Sequence, residues 1–342
     1  MTPYGAGGGS SRVRVLDWLR WLQLDAEVHD YLGRHNAAPR ALARQPLAVA
    51  SAERATRALR QRQSGRLLLH REASPFSRGQ LERQLLSAAD FGVYDFDDAL
   101  QWDSSGGLIR RIVPKPKKCI AAVRAADRVV AGNDVLADWA CGFSHDVIMI
   151  PSCVDPVTYT CKNRYIVSDP PLLGWVGSPS TERYLRLVER PLLELHRQTG
   201  ARLRIISAGA ASLGSLDPIT ERVPWSQFDI GRLLVDIDVS IAPLVDGPYE
   251  RGKCAYKILQ YGASGVPVVG SPVGANQLAL ARLGGTASTT QDEWFDAILT
   301  LLTMDVAERT KIGKHSRSAV QQHYSFAAWA SRWRDAVGLD TN

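Results

Sequence analysis

Short apolar runs alternate along the chain with stretches in which apolar residues recur at helical spacing. The runs are rich in valine, isoleucine and leucine, and glycine or proline often follows them. This alternation is typical of βα units around mostly parallel sheets, and it predicts an α/β fold. The predicted strands are Arg66–His70, Gly92–Asp95, Arg128–Ala131, Val147–Ile150, Leu172–Gly177, Arg202–Ser207, Val239–Leu244 and Val266–Gly270.

Residues 151–171 interrupt the alternation with proline, tyrosine and polar side chains that follow no clear period. A chain of 342 residues also exceeds what one hydrophobic core usually supports. We therefore predict a first domain over residues 1–155, a linker over 156–171, a second domain over 172–324 and a C-terminal helix over 325–342. The aromatic residues Tyr324, Phe326, Trp329 and Trp333 give that helix an apolar face, which can cross back to the first domain.

Composition narrows the class of protein. No apolar run approaches the roughly 18 residues that span a bilayer, and residues 1–10 lack the basic and apolar regions of a secretory signal, so we expect a cytoplasmic protein without a transmembrane segment. Five cysteines without a CxxC pair argue against disulfides and structural zinc. The net charge of +6 includes arginines spaced along helices, such as Arg54, Arg57 and Arg60, which indicates solvated faces and no nucleic-acid partner.

The most informative stretch is residues 246–274, DGPYERGKCAYKILQYGASGVPVVGSPVG. A strand ends just before it, a polar loop carries Glu250, Arg251 and Lys253, and a helix follows. Free backbone NH groups at a helix start, next to cations, suit a diphosphate.

The helix that follows the loop also has a polar face. Lys257 and Gln260 lie on the same side as Lys253, so this face can reach from phosphate towards ribose. A solvated surface helix is the alternative, although such a helix would not need Gly252 or the Gly265–Gly270 stop-and-strand pattern.

This stretch resembles the donor site of family 4 retaining glycosyltransferases, which have the GT-B fold of two facing Rossmann-like domains. The resemblance implies that Glu250 approaches the hydroxyls of the donor sugar. It implies that Gln260 stands where the family has a glutamate on the ribose, although an amide holds a diol without charge assistance. Arg251 and Lys253 are similar to the cations that bind the diphosphate in the family.

A second block, LGWVGSPS, is an apolar strand that ends in a glycine turn. Glycine there lets the backbone approach a ligand closely. In the family the matching turn faces the phosphates, so the resemblance implies donor contacts for Gly177 and Ser178. Val223 begins a turn where such enzymes commonly hold the base, and for the nearby Trp225 a place in the core is an equal alternative.

A glycine cluster precedes a predicted amphipathic helix over Ser11–Leu24. The family uses a glycine-rich loop after its first strand to bind the acceptor, so the resemblance implies acceptor contacts for Gly8 and Gly9. Only Met1–Tyr4 precede the loop, and we therefore expect the first strand of the N-terminal domain to be missing or truncated. A flexible tail is the alternative.

Three carboxylates, Asp95, Asp97 and Asp98, stand at the end of a predicted strand. The family often has a histidine at this strand end, near the reacting sugar, and Asp97 is similar in position. The resemblance thus makes Asp97 a catalytic candidate. The carboxylates can equally bind a cationic acceptor, which makes Asp95 and Asp98 candidate acceptor contacts. A metal-binding DxD motif belongs to a different glycosyltransferase fold, so we expect no metal. His70 is a weaker catalytic candidate, with a satisfied core histidine as the alternative.

The resemblance implies a retaining hexosyl- or pentosyltransferase that moves a sugar from a nucleotide diphosphate sugar to a hydroxyl of a small-molecule acceptor, without a further cofactor. Arg251 and Lys253 would stabilise the departing diphosphate. The aspartate cluster favours an aminated natural product as acceptor, such as an aminoglycoside in a bacterial antibiotic pathway. A sugar-nucleotide epimerase of the same fold and a degenerate, non-catalytic homologue are the alternatives; sugar, base and oligomeric state stay open.

Overall fold

Strands and helices alternate in the computed structural model, which describes residues 1–32, 42–61, 65–103 and 113–339. The strands are β1 Arg66–His70, β2 Phe91–Phe96, β3 Arg128–Ala131, β4 Val147–Met149, β5 Leu172–Val176, β6 Arg202–Ile206, β7 Thr220–Val223, β8 Val239–Ala242, β9 Val268–Gly270 and β10 Thr286–Ala287. The longer helices are Pro46–Ala58, Gln80–Ala88, Lys115–Ala125, Asp134–Cys141, Glu189–Thr199, Tyr256–Ala263, Ala275–Leu283, Gln291–Thr303, Val306–His323 and Phe326–Ala336.

The chain divides by its internal contacts into two units. The first consists of Met1–Cys153, Arg251–Cys254 and Trp329–Asn342, and the second of Val154–Glu250 and Ala255–Ala328. The first unit is therefore assembled from three separate stretches of sequence. Residues 340–342 of the predicted C-terminal helix lie outside the described residues.

The sheet of the first unit has the order β1-β2-β3-β4, and all its neighbouring strands are parallel. The middle strands β2 and β3 are buried on both faces, as is typical of parallel sheets whose two sides are covered by helices. Each strand ends in the same direction, so the residues that follow β1 and β2 meet at one edge.

The backbone of Met1 lies beside β1. Its nitrogen donates to the Leu68 carbonyl over 2.6 Å, and its carbonyl accepts from the His70 nitrogen over 3.0 Å. Thr2 forms a single parallel bridge with Asp30. These backbone hydrogen bonds hold Met1 against the outer edge of β1.

The helix after the glycine cluster is less regular than expected. Gly9–Ser11 begins it, a π-helical turn follows over Arg12–Leu16, and it ends with Asp17–Trp21. Trp18 is buried and packs in the core of the first unit. The wider turn carries Arg12 and Arg14, whose side chains are both buried, so this helix brings two positive charges into the unit.

The sheet of the second unit has the order β10-β9-β8-β5-β6-β7, again with parallel neighbours. Along the chain, β5, β6 and β7 are added side by side in one direction. The chain then returns, and β8 lies on the other side of β5. Two apolar clusters include residues from successive positions of β5, Trp175 in one and Val176 in the other, because side chains alternate across a strand.

All eight predicted strands are confirmed, with ends that differ by up to two residues. Two further strands are not apparent from the sequence: β7, in which three of four residues are polar, and β10, which has two residues. Between β5 and β6, 3₁₀ turns occupy Pro179–Val188, and the α-helix begins only at Glu189.

Candidate functional site

The first group of candidate residues lies in the second unit, where the strand order reverses. The chain leaves β5 towards β6 on one side and returns to β8 on the other. In open parallel sheets such a switch point leaves a crevice outside the carboxyl ends of the strands, where ligands bind. Gly177 and Ser178 come directly after β5, and the segment that leads to Glu250 follows β8.

Gly177 is glycine for a steric reason. A Cβ at this position would lie 2.4 Å from the Trp175 ring and 2.9 Å from the Lys257 Cε. The Lys257 ammonium lies 4.2 Å from the centre of the Trp175 ring and 3.2 Å from the Thr181 hydroxyl. A buried aromatic face and a hydroxyl thus hold this cation at the end of β5.

The helix Tyr256–Ala263 begins at this edge of the sheet. Its first turn has no acidic residue, and Ala255 before it provides no side-chain cap. Ala255 is buried with φ of 54°, a left-handed conformation that non-glycine residues rarely adopt. The amide groups of the first turn and Lys257 together favour an anion at the helix start.

The two residues compared with the family's acids already have partners. The Gln260 amide nitrogen, which is buried, donates to the Tyr159 hydroxyl over 3.1 Å. One Glu250 carboxylate oxygen accepts from the Tyr184 hydroxyl over 2.6 Å. Both side chains are therefore held in place, and Tyr159 and Tyr184 are contacts that no sequence pattern indicated.

The remaining donor candidates lie near the ends of β5 and β7. The Ser178 hydroxyl contacts the hydroxyls of Ser180 and Thr181 over 3.1 and 3.3 Å. Val223 ends β7 and, like Trp225, packs against one of the apolar clusters of the unit. Trp225 thus packs against the core, which was the alternative to a contact with the base.

The second group lies in the first unit, at the carboxyl ends of β1 and β2. Arg14 donates to both carboxylate oxygens of the buried Asp95, over 3.2 and 2.5 Å. His70 Nδ1 lies 2.7 Å from Asp95 Oδ1, and His70 Nε2 lies 2.7 Å from the Ser10 hydroxyl. His70 is fully buried and has polar partners on both sides, so its surroundings match those of a satisfied core histidine.

Asp97 and Asp98 share one cation. The Arg71 guanidinium donates to Asp97 over 2.7 Å and also to Asp98. Arg71 follows β1 with φ of 61°, a strained conformation that aims its side chain at the end of β2. Burial would raise the pKa of Asp97, but Arg71, then His70 and Arg14, hold it well below the ordinary range.

The segment Arg251–Cys254 makes its contacts in the first unit. The Lys253 ammonium lies 3.5 Å from Asp98 Oδ1, and the Cys254 thiol donates to the Asp97 carbonyl over 3.2 Å. A Cβ on Gly252 would lie 2.4 Å from the Cβ of Ala99, which explains this glycine by packing. Arg251 is exposed.

The structure thus brings Lys253 together with Asp97 and Asp98, which the sequence analysis assigned to different ligands. Asn133 fixes the segment, since its amide donates to the Gly252 carbonyl over 2.8 Å. Burial and then the Asp97 charge raise the pKa of the Cys254 thiol above its ordinary range. Cys254 is therefore a packed thiol and not a nucleophile.

The two glycines expected at the acceptor differ in their surroundings. A Cβ on Gly8 would lie 2.2 Å from the Tyr4 Cβ, whereas a Cβ on Gly9 would meet nothing within 4 Å. Ser10, which follows them, contacts both His70 and Asp97. The sequence analysis missed Ser10 and Arg14, although their spacing of one helical turn after a glycine loop could have indicated them.

Within the described ranges, no cluster of three or more histidine, cysteine or acidic side chains could hold a metal ion.

The helices of the described residues are all too short or too polar to cross a membrane.

Solved structures resemble the chain over most of its length. HepE from Anabaena, solved with UDP and glucose, is 14% identical, with a TM-score of 0.70 over 98% of this chain and 97% of its own. Sucrose-phosphate synthase from Thermosynechococcus elongatus is 15% identical, with a TM-score of 0.62 over 88% and 79%. A UDP-forming α,α-trehalose-phosphate synthase from Burkholderia xenovorans is 12% identical, with a TM-score of 0.59 over 86% and 80%.

No protein-family model and no curated protein matches the sequence. At such low identity a structural likeness shows the fold and not the activity. The α/β class and the two parallel sheets agree with it. The chain therefore has the GT-B fold, with two Rossmann-like units, as the sequence predicts.

Proposed function

We propose that this chain is a glycosyltransferase that moves a sugar from a nucleotide diphosphate sugar to an acceptor hydroxyl. The observation that carries the proposal is the switch point of the second unit, where Gly177, Lys257 and an uncapped helix start meet. These are the features that bind a diphosphate. HepE, which has the same fold, has been solved with UDP and with UDP-glucose.

In the proposed reaction the bond between the sugar and the diphosphate breaks, and negative charge grows on the departing phosphate. Lys257 and the first amides of its helix stabilise that charge without having to reorganise. Glu250 and Gln260, held by Tyr184 and Tyr159, bind hydroxyl groups of the donor. Arg251 and Lys253 remain our candidates for further cations on the diphosphate, as the family resemblance implies.

We further propose family 4-like transfer with retention, without a metal and without a cofactor beyond the donor. The acceptor hydroxyl attacks from the face that the phosphate leaves, and the phosphate takes its proton. The support is the motif resemblance around Glu250 and Gln260. The anomeric configuration of the product, read by NMR, tests this part: an inverted product would refute it.

The acceptor class follows from the charges near Asp97. Three carboxylates are grouped there, which favours an aminated small molecule, but each already faces a cation: Asp95 faces Arg14, and Asp97 and Asp98 face Arg71. An amine would have to compete with these partners. We therefore propose a hydroxyl of a small molecule as the acceptor. Whether that molecule also carries an amine, as an acceptor in an antibiotic pathway would, is tested by comparing the rates of transfer to aminated and to neutral acceptors.

The first experiment is thermal unfolding of the chain with a panel of nucleoside diphosphates and their sugars. A ligand that binds only the folded state raises the melting temperature with its concentration. A shift with one nucleotide, followed by transfer to an acceptor, is the expected result. Conversion of a sugar nucleotide without any acceptor would favour the epimerase, and no shift with any nucleotide would favour the non-catalytic alternative.

A further inference from the structure

Four side chains of the first unit form one continuous hydrogen-bonded row. Asp95 Oδ1 lies 2.7 Å from His70 Nδ1, and His70 Nε2 lies 2.7 Å from the Ser10 hydroxyl. The same hydroxyl lies 2.7 Å from each carboxylate oxygen of Asp97. His70 and Asp95 are buried, whereas the Asp97 side chain keeps 12% of its surface exposed. The row therefore runs from the interior to a carboxylate that a ligand can touch.

The hydrogen of the Ser10 hydroxyl can be placed from its neighbours. Both carboxylates are ionised at neutral pH, because nearby cations lower the pKa of Asp95 and of Asp97 despite their burial. The single hydrogen of the Ser10 hydroxyl then points at Asp97, since two oxygens 2.7 Å apart without a hydrogen between them repel. His70 Nε2 faces the oxygen of Ser10, and His70 Nδ1 faces Asp95.

Cations surround the carboxylates of this row. Arg14, on the preceding helix, faces Asp95, and Arg71, directly after β1, faces Asp97 and Asp98. Lys253 faces Asp98, and the Cys254 thiol donates to the Asp97 carbonyl. Each carboxylate at the ends of the row is therefore paired with a cation, and the ring of His70 lies between them.

We propose that Ser10 and His70 are positioning residues that hold the Asp97 carboxylate for the transfer. The proposal rests on the function proposed above, in which Asp97 contacts the reacting sugar or the acceptor. Ser10 fixes both oxygens of Asp97 through one shared hydrogen, and His70 prevents the hydroxyl from turning away. Asp95 and Arg14 in turn fix the ring of His70.

A hydrolase-like triad of serine, histidine and aspartate would need the opposite arrangement. There the histidine accepts the serine hydrogen through an unprotonated Nε2, and an oxyanion forms nearby. Here the Asp97 carboxylate lies 2.7 Å from the Ser10 oxygen, where it opposes any negative charge on that oxygen. The row therefore positions a carboxylate and does not prepare Ser10 as a nucleophile.

The first test is the ¹⁵N spectrum of the histidine rings in the whole chain, with His70 assigned from the H70Q variant. We expect S10A to change the signal of His70 Nε2, which faces Ser10, and to leave the signal of Nδ1, which faces Asp95, nearly unchanged. An unchanged Nε2 signal in S10A would overturn the proposal. This readout needs no substrate, so it stands even if the chain transfers no sugar.

The second test is steady-state kinetics of S10A beside the same truncation at Ser144, whose half-buried hydroxyl contacts only the Asp146 carbonyl, over 3.4 Å. Loss of one hydrogen bond to a charged group predicts a fall in kcat of about 10- to 100-fold for S10A, with the KM of the donor nearly unchanged. S144A should match the wild type. Unchanged kcat in S10A, or hydrolysis of p-nitrophenyl acetate that S10A abolishes, would overturn the positioning role.

Discussion

The Lys253 ammonium lies 3.5 Å from a carboxylate oxygen of Asp98. Both residues are candidates, one for the diphosphate and the other for the acceptor. Both side chains are mostly buried, with 24% and 17% of their surfaces exposed. A contact of this kind can stabilise the fold, serve the reaction, or do both, and substitution at each end separates these roles.

We expect Lys253→Ala to lower kcat by about 100-fold if the lysine stabilises the leaving group, a typical cost of losing one such interaction. Asp98→Asn should act mainly on the KM of the acceptor. The double variant should then show the sum of the two effects. Equal losses in both single variants, with no further loss in the double variant, would mean that the pair acts only as one structural contact.

The donor cation gives a second prediction. Lys257→Ala should weaken binding of the nucleotide by about 10- to 100-fold, the cost of one charged hydrogen bond. Isothermal titration with the nucleotide found in the thermal panel measures it. Lys311→Ala removes an exposed lysine from another helix and should bind like the wild type. Equal affinity in Lys257→Ala would exclude Lys257 from the donor site.

Gly177→Ala tests the close packing of residue 177 against Trp175 and Lys257. The new Cβ would overlap the Trp175 ring and displace Lys257, so we expect a loss of about 1–3 kcal/mol in the free energy of unfolding and weaker nucleotide binding. Gly142→Ala is the matched control, because its Cβ would meet its nearest neighbour at 3.4 Å. Urea unfolding measures the free energy of unfolding of both variants. Equal values for Gly177→Ala and Gly142→Ala would contradict the close contact at Gly177.

The buried Asp95 predicts a pH dependence of stability. Asp95→Asn leaves Arg14 and His70 without their anion, which should cost about 3–5 kcal/mol at neutral pH. Burial raises the pKa of Asp95, but Arg14 and His70 lower it further, so that the folded-state value is below the ordinary one. Its contribution is therefore complete above about pH 4 and is lost as the pH falls through the folded-state value.

Urea unfolding of Asp95→Asn and of the wild type between pH 7 and pH 3 measures this contribution. The difference between the two should stay constant down to about pH 4 and shrink below it. Asp138→Asn changes an exposed carboxylate and should follow the wild type throughout. A difference that shrinks already between pH 7 and pH 5 would mean that the folded-state pKa of Asp95 is raised.

A fifth prediction concerns the C-terminal aromatic residues. The rings of Trp18 and Trp333 stack 5.1 Å apart with an interplanar angle of 9°, and both are buried. Trp333→Ala should lower the free energy of unfolding by about 3–5 kcal/mol, and Trp333→Phe by less. Trp102→Ala, at a position 40% exposed, should have a small effect. Similar melting temperatures for the Trp333 and Trp102 variants would contradict the packing.

The sequence predicted the sheets well because buried parallel strands are continuous apolar runs, as in Leu172–Val176. It could not predict β7, which lies at the edge of a sheet and in which three of the four residues Thr220–Val223 are polar. Several donor candidates, Glu250, Lys257 and Gln260, lie in one stretch, so a local motif suffices to predict them. Ser10, His70 and Asp97 come from three distant positions, and only the parallel alignment of β1 and β2 beside the first helix brings them together.

The three-part composition of the first unit has a consequence for synthesis. Residues 1–153 can form β1 to β4 early, but the stacking partner of Trp18 is near the end of the chain. Until the ribosome has passed Trp333, the apolar face of the Trp18 indole stays uncovered. All residues of the second unit, in contrast, have been synthesised once the ribosome has passed Ala328. We expect the second unit to mature first and the first unit to be the one that chaperones must protect.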